Sequence, residues 1–501
     1  MPETLSNIGH LIKSLRERRN ITQAEFAEKL NTTQSAVARI ESCEQNLTTE
    51  MINKISRALD HNLVTLGTGA INFQITGGYK LAGKVTTNTS KNGAMGVICA
   101  SLLNKGKTII KNVPKIEEVY RMIEILQSIN VSIKWVGADL EITPNKISLK
   151  NINKKSAERT RSIIMLIGPL IHLFKKFSLP QSGGCKLGAR TVTPHFYALE
   201  NFGVAIDTKE KSYKISSSIL KPAEFALYES GDTVTENTII AASLIPGKTI
   251  IKFASANYMV QDVCFFLQEC GVKIEGIGTT TLTIHGVKSI NKSIIYYLSE
   301  DPTDSMFFIT SAIVTNSRLN ICRCPIDFLE LELLKLEKMG LKYKKSKNYK
   351  SYNGQTILTD LTLLPSKLRA LEEKIECRPY PGLNMDNLPF FAVIATQAEG
   401  TTLIHDWAFE NRAIYYKDLD KLGASTHLSD PHRLYITGIT KLKPAEVICP
   451  PALRPAAILL IGMLGAKGQS ILRNVYNINR GYEEIAGRLN ALGARIKILN
   501  D

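Results

Sequence analysis

One phrase recurs along most of this chain at intervals of about 70 residues, and it restricts the fold more than any other feature. A turn of the Gly-Lys-Thr type opens a β-branched run, an amphipathic stretch follows, and a Gly or Asn flanked by apolar residues opens a second alternating run. Gly106-Lys107-Thr108 leads to Ile129-Asn130-Val131, Gly247-Lys248-Thr249 to Cys270-Gly271-Val272, and Ser317-Arg318-Leu319 to Met339-Gly340-Leu341. Gly400-Thr401-Thr402 leads to Leu422-Gly423-Ala424, Gly468-Gln469-Ser470 to Leu492-Gly493-Ala494, and a less regular copy ends at Phe202-Gly203-Val204. The period is too long for a helical solenoid unit and suits a small βαβ-type module used six times. Most of the chain is therefore expected to be α/β.

At 501 residues, 44% of them apolar, the chain has room for two or three domains with cores of their own. The longest apolar run, Ala456 to Leu464, falls far short of the roughly 20 residues that span a bilayer. With no charged-then-apolar leader, a cytoplasmic location without a membrane partner is expected. Nine scattered cysteines without a Cys-x-x-Cys pair signal neither a disulfide framework nor a metal site, and Cys322 and Cys324 read as core residues on one strand face. The formal charge of +16 points to a polyanionic partner or an anionic substrate, although a Lys-rich solvated surface would also produce it. Residues 1–65 carry about as many acidic as basic side chains, so the excess lies in the repeat region.

Residues 7–60 read as four or five short helices. Thr22, followed three residues later by Glu25, is a capping box for one helix, and Asn31-Thr32-Thr33 forms a turn and a second N-cap ahead of Gln34 to Glu41. Ala27, Leu30, Val37 and Ile40 supply the apolar positions that pack two helices across a short turn. With the Gln-x-x-x-Ala spacing at Gln23 and Ala27, this segment resembles the helix-turn-helix of the Cro and phage-repressor (C1) type. The resemblance implies an all-α DNA-binding domain over residues 1–66 whose Gln34 helix enters the major groove. It places Gln34, Ser35 and Arg39 near base edges, Gln23 near a phosphate and Thr33 among the contact residues. Double-stranded DNA is the implied partner, and a homodimer through this domain follows by analogy; a dimerisation module without DNA contact is the alternative. Gly67-Thr68-Gly69 reads as a flexible joint to the repeats.

Within the repeats, Leu179-Pro180-Gln181-Ser182-Gly183-Gly184-Cys185-Lys186-Leu187-Gly188-Ala189-Arg190 stands out. Consecutive glycines before a cysteine free the backbone for a mobile loop, and nearby cations favour a thiolate or a bound anion. Other cations sit beside glycines expected in turns: Lys91-Asn92 before Gly93, Arg161 ahead of Gly168-Pro169, and Arg480 before Gly481. Several arginines without metal-ligand spacing point to a phosphate or carboxylate clamp.

With Phe409-Glu410-Asn411-Arg412 and Ile478-Asn479-Arg480-Gly481-Tyr482-Glu483, these motifs resemble the enolpyruvyl transferases, in particular the branch that acts on UDP-N-acetylglucosamine in peptidoglycan synthesis. The resemblance covers about Ile71 to Ile498. It implies a two-lobed, inside-out α/β barrel of six βαβαββ units, with residues 71–90 plus 299–501 in one lobe and 91–298, carrying the Cys185 loop, in the other. It further implies that Lys91, Arg190 and Arg480 bind phosphoenolpyruvate, supported by Arg161 and Arg454. Cys185 then delivers a proton to the enol methylene and Asp386 takes one from the attacking hydroxyl. Asn92, Arg412 and Glu300 are implied to contact the UDP-N-acetylglucosamine substrate, and no cofactor or metal is implied.

Several positions depart from that branch. Arg190-Thr191-Val192-Thr193-Pro194-His195 replaces Arg-Pro-Val-Asp-Leu-His, and Ser230-Gly231-Asp232-Thr233-Val234-Thr235-Glu236-Asn237 replaces the diphosphate loop, adding Asp232 and Glu236 where a diphosphate is expected. Ala452-Leu453-Arg454 replaces Asp-Leu-Arg, Glu300-Asp301-Pro302-Thr303 replaces Asp-Arg-x-Glu, and Glu117 stands where a Lys is common. Phosphoenolpyruvate chemistry is thus better supported than the acceptor. Three functions are compatible: transfer to the 3-hydroxyl of UDP-N-acetylglucosamine coupled to sequence-specific DNA binding, transfer to a different hydroxyl, or a transcription regulator whose body is a ligand sensor.

Overall fold

The computed structural model describes residues 9, 12–13, 15–17, 19, 21–42, 51, 54–55, 58–59, 71–181, 191–209 and 211–500. The chain divides into two compact units, Met1–Phe73 with Ile498–Asp501, and Gln74–Lys497.

In the first unit the helices Gln23–Leu30 and Gln34–Glu41 stand where the caps predict them. Thr22 Oγ1 accepts from the Glu25 amide while the Thr22 amide donates to the Glu25 carboxylate at 2.7 Å, so two orphan donors of the first turn are satisfied together. Asn31, left-handed at φ 52°, ends the first helix, and Thr33 caps the second by accepting from the Ala36 amide. Phe26, Ala27, Leu30, Val37 and Ile40 bury their side chains with Ile12, Leu15, Ile55 and Leu59. Beneath them the Arg16 guanidinium forks onto Glu41, at 2.5 Å through Nε and 2.9 Å through Nη2. Burial pushes the Glu41 carboxyl up, yet the donors from Arg16 and Gln23 outweigh it and hold it below its ordinary value.

The second unit shows what the repeat means physically. In four sheets a short strand pairs parallel with the first strand of a module, a hairpin strand pairs antiparallel with that first strand, and an outer strand follows. These are Ile294–Tyr297, Thr108–Lys111, Asp139–Pro144, Val131–Val136; Glu224–Ala226, Gly247–Lys252, Thr281–Gly286, Lys273–Glu275; Lys84–Thr86, Leu319–Pro325, Ile357–Leu364, Lys342–Lys345; and Leu368–Arg369, Ala398–His405, Arg433–Gly438, Ser425–Asp430. The fifth has the same order, Glu446–Ile448, Gly468–Arg473, Ile71–Gly77, Ile496–Asn500, with the N-terminal strand in the hairpin strand's place. The sixth runs Lys176–Pro180, Ser212–Ser217, Val204–Lys209.

Each recurrent Gly or Asn turns the chain out of a helix into the outer strand. Asn130, Gly203, Gly271, Gly340, Gly423 and Gly493 all have positive φ, at 72°, 87°, 98°, 107°, 82° and 95°. Glycine takes this conformation without a Cβ penalty and Asn tolerates it, which is why only these two residue types occupy the landmark. A second set escaped the sequence reading. A Cβ on Gly77, Gly286 or Gly438 would lie 2.0, 1.9 or 2.2 Å from a carbonyl oxygen of Met463, Ile245 or Ala398. Each ends the middle strand of its sheet, so the N-terminal strand obeys the same packing rule as the hairpin strands.

The helices Pro302–Val314, Leu388–Ala395 and Leu453–Gly465 pack on one another, and Lys91–Ala100 packs on Tyr258–Glu269 and Asp232–Ala242. They are largely buried, with the sheets outside them; Leu388–Ala395 and Leu453–Gly465 accordingly read as apolar nearly all round, whereas Asp232–Ala242 buries polar residues as well. The Ala456–Leu464 run is one of these interior helices, and no described helix is long and apolar enough to cross a membrane. Cys322 and Cys324 are buried, but not by simple alternation: the strand bulges between Ile321 and Cys324, with Arg323 at φ 61°.

Candidate active site

Interior helices begin at the site. Ser90 caps Lys91–Ala100, so Lys91 is its first residue. Asp301 caps Pro302–Val314 and accepts from the Thr303 amide at 2.8 Å. Arg454 is the second residue of Leu453–Gly465, Asp386 lies two residues before Leu388–Ala395, and Tyr258 opens Tyr258–Glu269. The positive ends of these helices add to the cations they carry.

The side chains converge on Asp386. Arg454 Nη2 donates to Asp386 Oδ2 and to Thr303 Oγ1, both at 3.1 Å, while Nη1 donates to the Tyr482 hydroxyl at 2.7 Å. Arg412 Nη1 stands 4.0 Å from Asp386 Oδ1. Burial pushes the Asp386 carboxyl up, but the charges of Arg454, Arg412 and Lys91 outweigh it and hold its pKa at about 2. Asp386 is therefore an anion throughout the neutral range, with cations on several sides. Lys91 Nζ donates to Glu118 Oε2 at 2.7 Å. Burial raises the Glu118 carboxyl, and the opposing charges of Lys91 and Arg480 bring it below its ordinary value.

Arg412 is fully buried rather than lining an open surface. Its Nε and Nη2 form a fork on Asp406, at 2.6 and 2.8 Å, Asp406 also accepts from Tyr416 at 2.6 Å, and the guanidinium lies 3.9 Å from the Phe409 ring centroid. It reaches the site only through its field on Asp386. Glu300 is buried too: Arg323 Nε donates to its Oε1 at 2.9 Å and Ser351 at 3.1 Å. Asn92 donates to the Tyr258 hydroxyl at 3.4 Å, Arg161 donates to the Thr191 carbonyl at 2.9 Å, and Arg480 caps the short helix Tyr476–Asn479. Cys185 and Arg190 lie outside the described residues, as does the Gly67-Thr68-Gly69 joint.

Two expectations need correction. Gly93 and Gly168 are not turn glycines but lie inside helices, where a Cβ would come within 2.4 Å of Asp262 and 2.6 Å of Asn237. Glu236 does not face an acceptor. One helical turn beyond Asp232, it points into the core between Asp232–Ala242 and Lys91–Ala100, where the missing Cβ of Gly96 leaves room for its Oε1, and burial raises its pKa well above the ordinary value. Asp232 does stand at the helix start and accepts from Ser255 Oγ at 2.6 Å and Asn257 Nδ2 at 3.3 Å.

Glu118 and Asp406 were missed from sequence, although Glu118 adjoins the noted Glu117, while Tyr482 and Thr303 stood within noted motifs but were given no role. Among the described residues no His, Cys, Asp and Glu group is arranged to hold a metal. In the first unit Thr33, Gln34, Ser35 and Arg39 are exposed, whereas the Gln23 amide donates to Glu41 at 2.9 Å because that buried carboxylate needs donors. The site as built can hold an anion among Lys91, Arg454 and Arg480 and offers one ionised carboxylate as a proton acceptor.

A family model described as EPSP synthase (3-phosphoshikimate 1-carboxyvinyltransferase) matches residues 75–489, and one described as Helix-turn-helix matches residues 12–64. The UDP-N-acetylglucosamine 1-carboxyvinyltransferase of Borreliella burgdorferi is 33% identical over 429 residues, covering 85% of this chain and 98% of that protein. That of Treponema denticola is 33% identical over 436 residues, covering 85% and 99%. Among solved structures, the enolpyruvyl transferase NikO from Streptomyces tendae superposes with a TM-score of 0.76 at 22% identity, over 86% of this chain and 100% of that one. An EPSP synthase from Acinetobacter baumannii gives 0.68 at 16%, over 86% and 100%. The shared fold, the match over most of the repeat region and the level of identity make this chain a member of the enolpyruvyl transferase family, a family of transferases, with a helix-turn-helix domain preceding the transferase body.

Proposed function

We propose that this protein transfers the enolpyruvyl group of phosphoenolpyruvate to the 3-hydroxyl of UDP-N-acetylglucosamine or a close relative, a step of peptidoglycan precursor synthesis, and binds double-stranded DNA through its helix-turn-helix. The observation that carries the reading is Asp386, ionised and held among Lys91, Arg412 and Arg454, with Glu118 anchoring Lys91. In this reading Lys91, Arg480 and Arg190 hold the phosphate and carboxylate of phosphoenolpyruvate, with Arg161 beside them. Asp386 accepts the proton of the acceptor hydroxyl as its oxygen bonds to the enol carbon, and Cys185 gives its thiol proton to the methylene. Phosphate then leaves the tetrahedral adduct as the new methyl group returns a proton, restoring the vinyl ether. Positioned acid and base groups contribute about 10²- to 10⁴-fold each. Fixed opposing charges lower the barrier further, and closure of the lobe of residues 91–298 on that of 71–90 with 299–501 excludes water.

A different acceptor is favoured by one observation. Asp232 places a carboxylate at the start of Asp232–Ala242, where a phosphorylated acceptor would otherwise find a positive helix end. Phosphate release measured across a panel of nucleotide-sugar and simple hydroxyl acceptors separates the two: turnover with UDP-N-acetylglucosamine supports the first, and turnover only with an uncharged acceptor supports the second. Selection of duplexes from a random pool tests the DNA reading. Enrichment of one sequence by the wild type, lost in Gln34→Ala/Arg39→Ala, supports it; no enrichment by the wild type overturns it.

A further inference from the structure

One strongly cationic exposed stretch of the body has no part in the site. Five lysines, Lys342, Lys344, Lys345, Lys347 and Lys350, fall within nine residues that contain no acid. All five are exposed. They lie on the strand Lys342–Lys345, the strand Tyr349–Lys350 and the turn between them, both strands pairing antiparallel with Ile357–Leu364. Lys342 and Lys344 share a face with Leu364 and Thr362, and alternate residues of a strand stand about 6.8 Å apart. That spacing is comparable with the distance between successive phosphates of a nucleic-acid strand.

The local acids are occupied by other groups. The Tyr343 hydroxyl donates to Glu337 and the Tyr349 hydroxyl to Asp360 at 2.6 Å, so both tyrosines pin the lysine-bearing strands while engaging the nearest carboxylates. None of the five lysines forms an ion pair with a described acid. In two other sheets lysines do meet acids: Lys107 pairs with Glu141 at 2.8 Å, Lys111 with Asp139 at 2.5 Å and Lys252 with Glu224 at 2.5 Å. The five lysines of this stretch are therefore left without a neutralising carboxylate.

The helix-turn-helix segment has the opposite property. Residues 1–65 hold eight basic and eight acidic side chains, so they contribute little of the phosphate neutralisation that dominates DNA affinity. We propose that the lysine-bearing strands Lys342–Lys350 are a sequence-independent binding surface for the phosphate backbone of double-stranded DNA, supplying electrostatic affinity that the near-neutral reader lacks. The proposal rests on the reading that this chain binds duplex DNA. Base edges are read by one surface and phosphates by another, and attachment of either raises the local concentration of duplex at the other.

The test uses the full chain and a fluorescent duplex of random sequence, titrated by anisotropy over a range of salt. In one variant Lys342, Lys344, Lys347 and Lys350 become Gln; in the control, the exposed Lys146, Lys150, Lys154 and Lys155 become Gln, removing the same charge. The expected result is that the first variant binds about 10-fold or more weakly and lowers the slope of log K against log salt by about 2 to 4, since each lost phosphate contact removes about 0.9. The control stays close to wild type, and arginine in place of the four lysines restores binding. Unchanged binding in the first variant, or equal weakening in both, overturns the proposal while leaving the DNA reading intact. A wild type that binds no duplex overturns both.

Discussion

Asp386 depends on partners brought from distant parts of the chain, and one of them, Arg412, is itself supported from below. Arg412 and Asp406 are both fully buried, so removing one charge strands the other. Asp406→Asn should destabilise the protein by about 3–5 kcal/mol, the usual result of breaking a buried pair from one side. Urea unfolding checks this; a loss below about 1 kcal/mol would mean that the pair is solvated in the folded protein. Arg454 was legible from its motif, and so was Asp386. Glu118, Asp406 and Thr303 were not, because their roles arise from pairings across 27, 6 and 151 residues that no local pattern encodes.

The helix ends carry the most readable part of the fold. Both caps around Thr22 and Thr33 fell where the side-chain chemistry put them, and each repeat landmark proved to be a left-handed residue closing a helix. At Gly423 a Cβ would meet only the Lys443 side chain, no nearer than 3.6 Å, so conformation and not space requires the glycine. Gly423→Ala should therefore cost about 1–2 kcal/mol and Gly423→Asn less, as Asn130 already shows at the equivalent place; equal costs for the two would contradict this. Where the reading failed, it failed on depth. Glu236 shares a stretch with Asp232, but helical geometry turns the later residue into the core, and a linear motif does not show which face is buried. Two histidines, His172 partly buried and His195 buried, give a pH test. Burial lowers His172 to about 4, against its bond to the Ala241 carbonyl, and lowers His195 to about 3, helped by the Arg161 charge. Below about pH 6.5 the unfolded chain takes up protons that these folded histidines refuse, so stability falls as pH drops toward those values, by about 1.4 kcal/mol per pH unit for each. His172→Gln, which can keep a donor on the Ala241 carbonyl, should reduce that slope by about one proton in urea titrations between about pH 7 and pH 5. An unchanged slope would contradict a neutral His172.

For the whole molecule, the repeat predicts the arrangement of sheets more fully than their closure. The six-fold pattern indicates modules and an α/β body, but that the last module is completed by Ile71–Gly77 depends on a pairing across the length of the chain, visible in sequence only through Gly77. If ligand closure of the body biases the helix-turn-helix, duplex affinity should change when phosphoenolpyruvate and acceptor are both present, and the same ligands should then bind DNA-bound protein with correspondingly altered affinity. Identical anisotropy curves with and without both ligands would separate the two functions. The most direct measurement is phosphate release from phosphoenolpyruvate with UDP-N-acetylglucosamine, comparing wild type with Cys185→Ala and Asp386→Asn. Turnover by the wild type, falling about 10²-fold or more in each variant, is the predicted result. No release by a wild type that still binds phosphoenolpyruvate would contradict it and make the body a ligand sensor.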